Sequence, residues 1–200
     1  QDQEVKDIFG SIQYSSNALT LIANQALELV KLDNNEDLVF DPSQFDIHFE
    51  IKQIVKSLQV VASSSQIQLQ LHTNFQEPFF VWYDKVRLYQ LLYNLLGNAL
   101  KFANHRIVIS VNIIADSLFF EIVDDGQGMS EAELKHVFEL NYQGKQSQVD
   151  TLSMGLGMHL CKRIIEKSNG TIEVSNLEQT GLKVNFKLDF LNVSNAVAYN

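Results

Sequence analysis

The chain has 200 residues, 46% of them apolar and 20% charged, which is the make-up of a globular domain with a core and a small appendage, not of a disordered or collagenous chain. Its formal charge of -9 disfavours a nucleic-acid partner or an anionic membrane surface, because phosphate groups repel an acidic surface. The single cysteine, Cys161, cannot close an internal disulfide, fits a reducing, cytoplasmic compartment and excludes a cysteine-based zinc site.

No apolar run approaches the roughly 18 to 20 residues that span a bilayer. The start, Gln1-Asp2-Gln3-Glu4, is polar and acidic, unlike a signal peptide, and the first methionine is Met129. The chain therefore reads as a segment of a longer protein, and whether that protein is membrane-anchored stays open.

In chain order, Ile8, Ile12, Ser15, Leu19, Ile22, Ala26 and Leu29 follow the 4-3-4-3 spacing of a heptad seam. The spacing predicts a long helix that needs a partner helix, or one that lies on its own domain. It should end near Asp33-Asn34-Asn35. Leu38 to Phe40 reads as a short extended piece interrupted by Pro42. Ile47 to Ala62 reads as an amphipathic helix, with Ile51, Ile54, Val55, Leu58 and Val61 on one face. Ile67, Leu69 and Leu71 alternate as in a half-buried strand. Asp84 to Ala103 is the strongest helix, followed by strands at 107–113 and 119–123. Ser130, with Glu131 and Glu133 behind it, looks like a helix cap. Residues 139–154 are polar and irregular, a candidate mobile loop. Gly155 to Ser168 reads as a helix stopped by Asn169-Gly170. Strands at 171–175 and 183–190 close the domain, and 191–200 reads as a tail or linker. Strands interleaved with a few long helices imply an α/β two-layer sandwich.

Three motifs carry chemistry. On the helix 84–103, Asn94, Asn98 and Lys101 stand at i, i+4 and i+7 and share one face, opposite the apolar stripe Leu88, Leu91, Leu92, Leu95, Leu96 and Ala99. Amide oxygens can coordinate a hard cation and a lysine can meet phosphate; the alternative is a plain solvated face. Asp124-Asp125-Gly126-Gln127-Gly128-Met129 follows a strand directly. Its carboxylate can accept a hydrogen bond from a ligand amine while the glycines admit close approach, or it is an acidic β-turn. Gly155-Leu156-Gly157 opens a helix, where free N–H groups and the dipole suit phosphates; close packing is the other use of such glycines.

In this order the motifs form one long signature. Asp84-x-x-Arg87-Leu88-x-Gln90 with Asn94-Leu95-Leu96-Gly97-Asn98-Ala99-Leu100-Lys101-Phe102 resembles the asparagine box of sensor histidine kinases. Asp124-Asp125-Gly126-Gln127-Gly128 is similar to their first glycine box, Gly155-Leu156-Gly157 to their second, and Phe138 to the aromatic between them. From about Phe45 to Phe190 the chain resembles the catalytic ATP-binding domain of that family, in the superfamily shared with gyrase, the heat-shock chaperone ATPases and the mismatch-repair ATPases.

The resemblance implies a Bergerat-type fold, a mixed and mainly antiparallel sheet against about three helices, with ATP and Mg2+ as cofactors. It implies that Asn98 ligates magnesium with Asn94 assisting, that Lys101 neutralises phosphate charge, and that Asp124 accepts the adenine amino group. Gly126 and Gly128 would shape the adenine pocket, and Phe102 and Met129, which close the two boxes, would join the nucleotide site. The backbone of Gly155, Leu156 and Gly157 would cradle phosphates under a lid of residues 139–154, with Lys145 toward the γ-phosphate. Residues 1–34 would be the second helix of a dimerisation hairpin, 35–190 the ATP-binding domain and 191–200 a tail. A phosphoacceptor histidine helix, a response-regulator receiver domain and a second copy of the full-length protein would be the partners.

Two departures stand out. Ser153 replaces the first of three glycines often found in the second box. The five histidines precede Phe49, Thr73, Arg106, Val137 and Leu160, never an acid, so the phosphoacceptor is expected upstream of this segment. Two rivals remain: a conformational ATPase of the same superfamily, and an interaction module that keeps the fold without the nucleotide.

Overall fold

The computed structural model describes residues 38–76, 78–140, 142 and 155–192. The heptad helix, Lys145, Ser153 and most of the expected lid lie outside the described residues.

The elements are β1 (Ser43–Asp46), α1 (Ile47–Ser64), β2 (Gln68–Thr73), β3 (Phe80–Tyr83), α2 (Lys85–Phe102), β4 (Arg106–Ile114), β5 (Ser117–Asp124), α3 (Glu131–His136), α4 (Gly157–Lys167), β6 (Thr171–Asn176), β7 (Leu182–Asp189) and β8 (Leu191–Asn192). The main sheet has five strands in the order β2-β4-β5-β7-β6. Only β2 and β4 run parallel, and the connection between them carries α2; the other pairs are antiparallel. This is the expected mixed, mainly antiparallel sheet with α1, α2 and α4 against it.

Period-two alternation decides which side chains meet the helices. Ile107, Ile109 and Val111 of β4, Leu118, Phe120 and Ile122 of β5, and Val184, Phe186 and Leu188 of β7 all point inward and are buried. The rings of Phe120 and Phe186 stack across β5 and β7, 4.5 Å apart and 4° from parallel. From the helical side, the predicted stripe Leu88, Leu91, Leu92, Leu95, Leu96 and Ala99 is buried as a whole.

The second sheet, β1-β3-β8, is a feature that the sequence reading lacked. The extended piece expected at 38–40 is no strand; β1 begins just after Pro42, which has no N–H to donate to a ladder. β3 hides its alternation because both faces are apolar: Val81 and Tyr83 are buried, while Phe80 and Trp82 are nearly half exposed. Leu191 and Asn192, read from the sequence as the start of a tail, pair with Trp82 and Val81.

Helix α2 is tied at its start to the incoming chain. Asp84 caps it, accepting from Arg87 N at 3.0 Å with one carboxylate oxygen and from Asp41 N at 2.8 Å with the other. The Arg87 guanidinium donates to Gln90 Oε1 and to the carbonyl of Val39, and lies over the ring of Phe40. Asp84 and Arg87 thus fasten residues 39–41 to the helix that carries the asparagines.

Candidate functional site

Parity places the first functional group. Asp124 ends β5 on the same face as Phe120 and Ile122, so its carboxylate points into the domain at the end of the sheet, where it is 6% exposed. Burial raises its pKa above the usual carboxylate value, and N–H groups of Gly126 and Leu182 oppose that rise. The Gly126 N–H donates to Asp124 Oδ1 at 2.9 Å. Among the described residues two amides and no cation hold this buried carboxylate, which retains the capacity to accept from a ligand amine.

Gly126 is pressed against the end of α2. A Cβ there would lie 2.4 Å from the carbonyl oxygen of Phe102 and 2.8 Å from Asp124 Oδ1. The first glycine box therefore touches the C-terminal end of the asparagine helix, beside Phe102 and the exposed Lys101, whose ammonium stands 5.3 Å from the Phe102 ring centroid.

The second glycine box meets the same helix about two turns earlier. A Cβ on Gly157 would lie 3.0 Å from Asn94 Oδ1. Gly155 takes φ +67, Leu156 is the N-cap of α4, and among the described residues no side chain caps that helix. Its first N–H groups are consequently left for water or a ligand. Asn98 follows Asn94 by one turn on the same half-buried face, between the two glycine boxes.

The cradle thus consists of α2 as floor, Asp124 with its loop at one end and the start of α4 at the other. It is lined by glycines at the positions where a side chain would collide with it. Those features fit a nucleotide: an acceptor for a base amine, amide oxygens for a cation, and a helix start for phosphates. Among the described residues no three His, Cys, Asp or Glu side chains gather as a metal site, so a cation here would depend on the amides and on the phosphates themselves.

Two contributors escaped the sequence reading. Asp125 does not simply decorate a turn. Its carboxylate accepts from the backbone N–H groups of Asn104, His105 and Arg106 at 2.9, 3.0 and 3.1 Å, and Asn104 Nδ2 donates to its carbonyl at 2.7 Å. A small burial penalty on this acid is outweighed by those amides, and its pKa falls below the usual range. Asn176, at the end of β6, binds Met129 through both backbone groups. Cys161 lies behind the site, fully buried on α4; burial pushes its thiol pKa up, and it plays no nucleophilic part. Lys145 lies outside the described residues; the Phe138 carbonyl faces His159 Nδ1 at 3.0 Å, and Lys162 lies over the Phe138 ring.

Residues 83–192 match the family described as histidine kinase-, DNA gyrase B-, and HSP90-like ATPase. The chain is 30% identical over 203 residues to hybrid signal transduction histidine kinase A of Dictyostelium discoideum, covering 94% of this chain and 9% of that protein. It is also 30% identical over 176 residues to the aerobic respiration control sensor protein ArcB homolog of Haemophilus influenzae, covering 82% of this chain and 52% of that one. The chain thus spans about half or less of these relatives. Full-length ShkA, solved in complex with AMPPNP, shares the fold at a TM-score of 0.73 and 20% identity, over 91% of this chain and 38% of that one. Among the described residues no helix is long and apolar enough to cross a membrane. With more than half of its length matched, and with the asparagine helix and both glycine boxes meeting in one cradle, the chain belongs to the histidine kinase-, DNA gyrase B- and HSP90-like ATPase family.

Proposed function

We propose that this chain is the ATP-binding catalytic part of a sensor histidine kinase, holding Mg-ATP for transfer of its γ-phosphoryl group to a histidine outside the segment. The observation that carries the reading is the convergence on α2: Gly126 against Phe102 at one end and Gly157 against Asn94 further along. In this reading Asp124 accepts the adenine amine, Asn98 with Asn94 holds the magnesium ion, Lys101 offsets phosphate charge, and the start of α4 receives the phosphates. Magnesium supplies charge neutralisation to the transferring phosphoryl group. The chain's own residues fix the nucleotide so that reaction depends on orientation rather than on covalent help from this domain.

The segment 1–34 is, on the same proposal, the second helix of a dimerisation hairpin, leading into the domain at 35–190. The complete protein would act as a homodimer, bring its phosphoacceptor helix to the nucleotide and pass the phosphoryl group to a response-regulator receiver domain. Similarity to the kinase relatives and the absence of an acid after any of the five histidines support this division of labour.

Calorimetry with ATP, with and without magnesium, tests the proposal. The parent chain should bind ATP, more tightly with the ion. Asn98→Ala should remove the gain from magnesium, and Asp124→Ala should weaken ATP by about tenfold to hundredfold, the cost of a buried charge-assisted hydrogen bond. A folded parent that binds no ATP would sink the kinase reading and favour the interaction module.

The direction of the Asp124 shift adds a pH prediction. An acid with a raised pKa takes up its proton earlier as pH falls, and the protonated form loses its anionic acceptor. ATP affinity should therefore decline on acidification while ordinary aspartates are still ionised. Asp124→Asn, which cannot titrate, should flatten that part of the profile; an unchanged profile in the variant refutes the assignment.

A further inference from the structure

The loop from Asp124 to Met129 crosses the end of the main sheet like a strap. It leaves β5 in the middle of the order β2-β4-β5-β7-β6 and reaches β6, two strands away. That is a span of roughly 10 Å at ordinary strand spacing. Its near end is pinned toward β4, where Asp125 holds the amides of Asn104 to Arg106. Its far end is pinned by Asn176: Met129 N donates to Asn176 Oδ1 at 2.8 Å, and Asn176 Nδ2 donates to the Met129 carbonyl at 2.6 Å. The pair copies the two-bond exchange of an antiparallel ladder with a side chain in place of a strand.

The clamp also explains Gly128. That residue takes φ +75, and a Cβ on it would lie 2.6 Å from Asn176 Oδ1. The space beside the strap is therefore filled by the asparagine amide. In register, Asp124 pairs with Leu182 and Leu182 with Asn176, so the acid and the clamp stand on one row across β5, β7 and β6. The β6–β7 hairpin thus holds the strap at both the acid and the methionine: Leu182 N–H serves Asp124, and Asn176 serves Met129.

We infer that Asn176 is a positioning residue for the nucleotide base, fixing the Gly128–Met129 end of the strap against which adenine must lie. The inference rests on the ATP reading above. Asn176 is exposed and outside the core, so its replacement leaves the fold intact.

The test compares the whole chain with Asn176→Ala and Asn176→Asp, using ATP directly and GTP by competition with a fluorescent ATP analogue. Asn176→Ala should weaken ATP about tenfold, the equivalent of two exposed hydrogen bonds, while GTP affinity stays put. Asn176→Asp keeps the acceptor for Met129 N and should recover part of the loss. Equal ATP affinity in parent and Asn176→Ala overturns the inference, and so does an equal fall for both nucleotides. A parent that binds no ATP removes the reading beneath it. Amide exchange at Met129 then still decides the clamp itself, with exchange about tenfold faster in Asn176→Ala if it exists and unchanged if it does not.

Discussion

Gly126→Ala should lower ATP affinity about hundredfold or more while leaving most of the secondary structure in place. The added methyl would sit 2.4 Å from the Phe102 carbonyl oxygen and 2.8 Å from Asp124 Oδ1. Neither neighbour can yield cheaply. The first is backbone at the end of α2, and the second is the acid that the Gly126 N–H itself holds. Relief requires lifting the strap from α2 or turning the carboxylate away from the pocket. A displacement near 1 Å of a binding group costs on the order of a hundredfold in function, and the overpacking costs about 1–3 kcal/mol of stability. Calorimetry with Mg-ATP and a urea melt measure the two. An affinity within about threefold of the parent would show that the strap does not lie against the base.

Phe120→Ala should act in the opposite way, on stability with little effect on affinity. Phe120 is 2% exposed and stacks on Phe186 in the middle of the sheet's inner face. Removing a buried phenyl ring costs about 3–5 kcal/mol. Against a total of about 5–15 kcal/mol for a domain, that is a large share. Urea unfolding should show a lower midpoint with an unchanged slope, and ATP affinity of the folded fraction should stay within a few-fold of the parent. A variant as stable as the parent would mean that the two rings do not share the core.

Much of this was legible because it is periodic. The leucine stripe of α2 and the alternation of β4 and β5 follow from spacing alone, and the parity of β5 is what turns Asp124 inward. The Ser130 cap was legible too: its hydroxyl accepts from Glu133 N while the Glu133 carboxylate accepts from Ser130 N, a reciprocal pair four residues long. What stayed hidden depends on contacts distant in sequence. Asn176 acts on Met129 across 47 positions, and nothing beside either residue marks the pairing. Asp125 looked like half of an Asp-Gly turn because its partners lie in the link after α2 and at the first residue of β4, 19 to 21 positions away. β3 stayed hidden because Phe80 and Trp82 make its outer face as apolar as its inner one.

The fastening of residues 39–41 to α2 has a mechanical meaning. Force applied at Leu38 would reach α2 through the Asp41–Asp84 and Val39–Arg87 bonds as well as β1 through the backbone, and neither route starts in the main sheet. Part of it is therefore delivered to the start of α2, the helix that bears Asn94 and Asn98. The sheet, held by its own ladders, acts as the anvil.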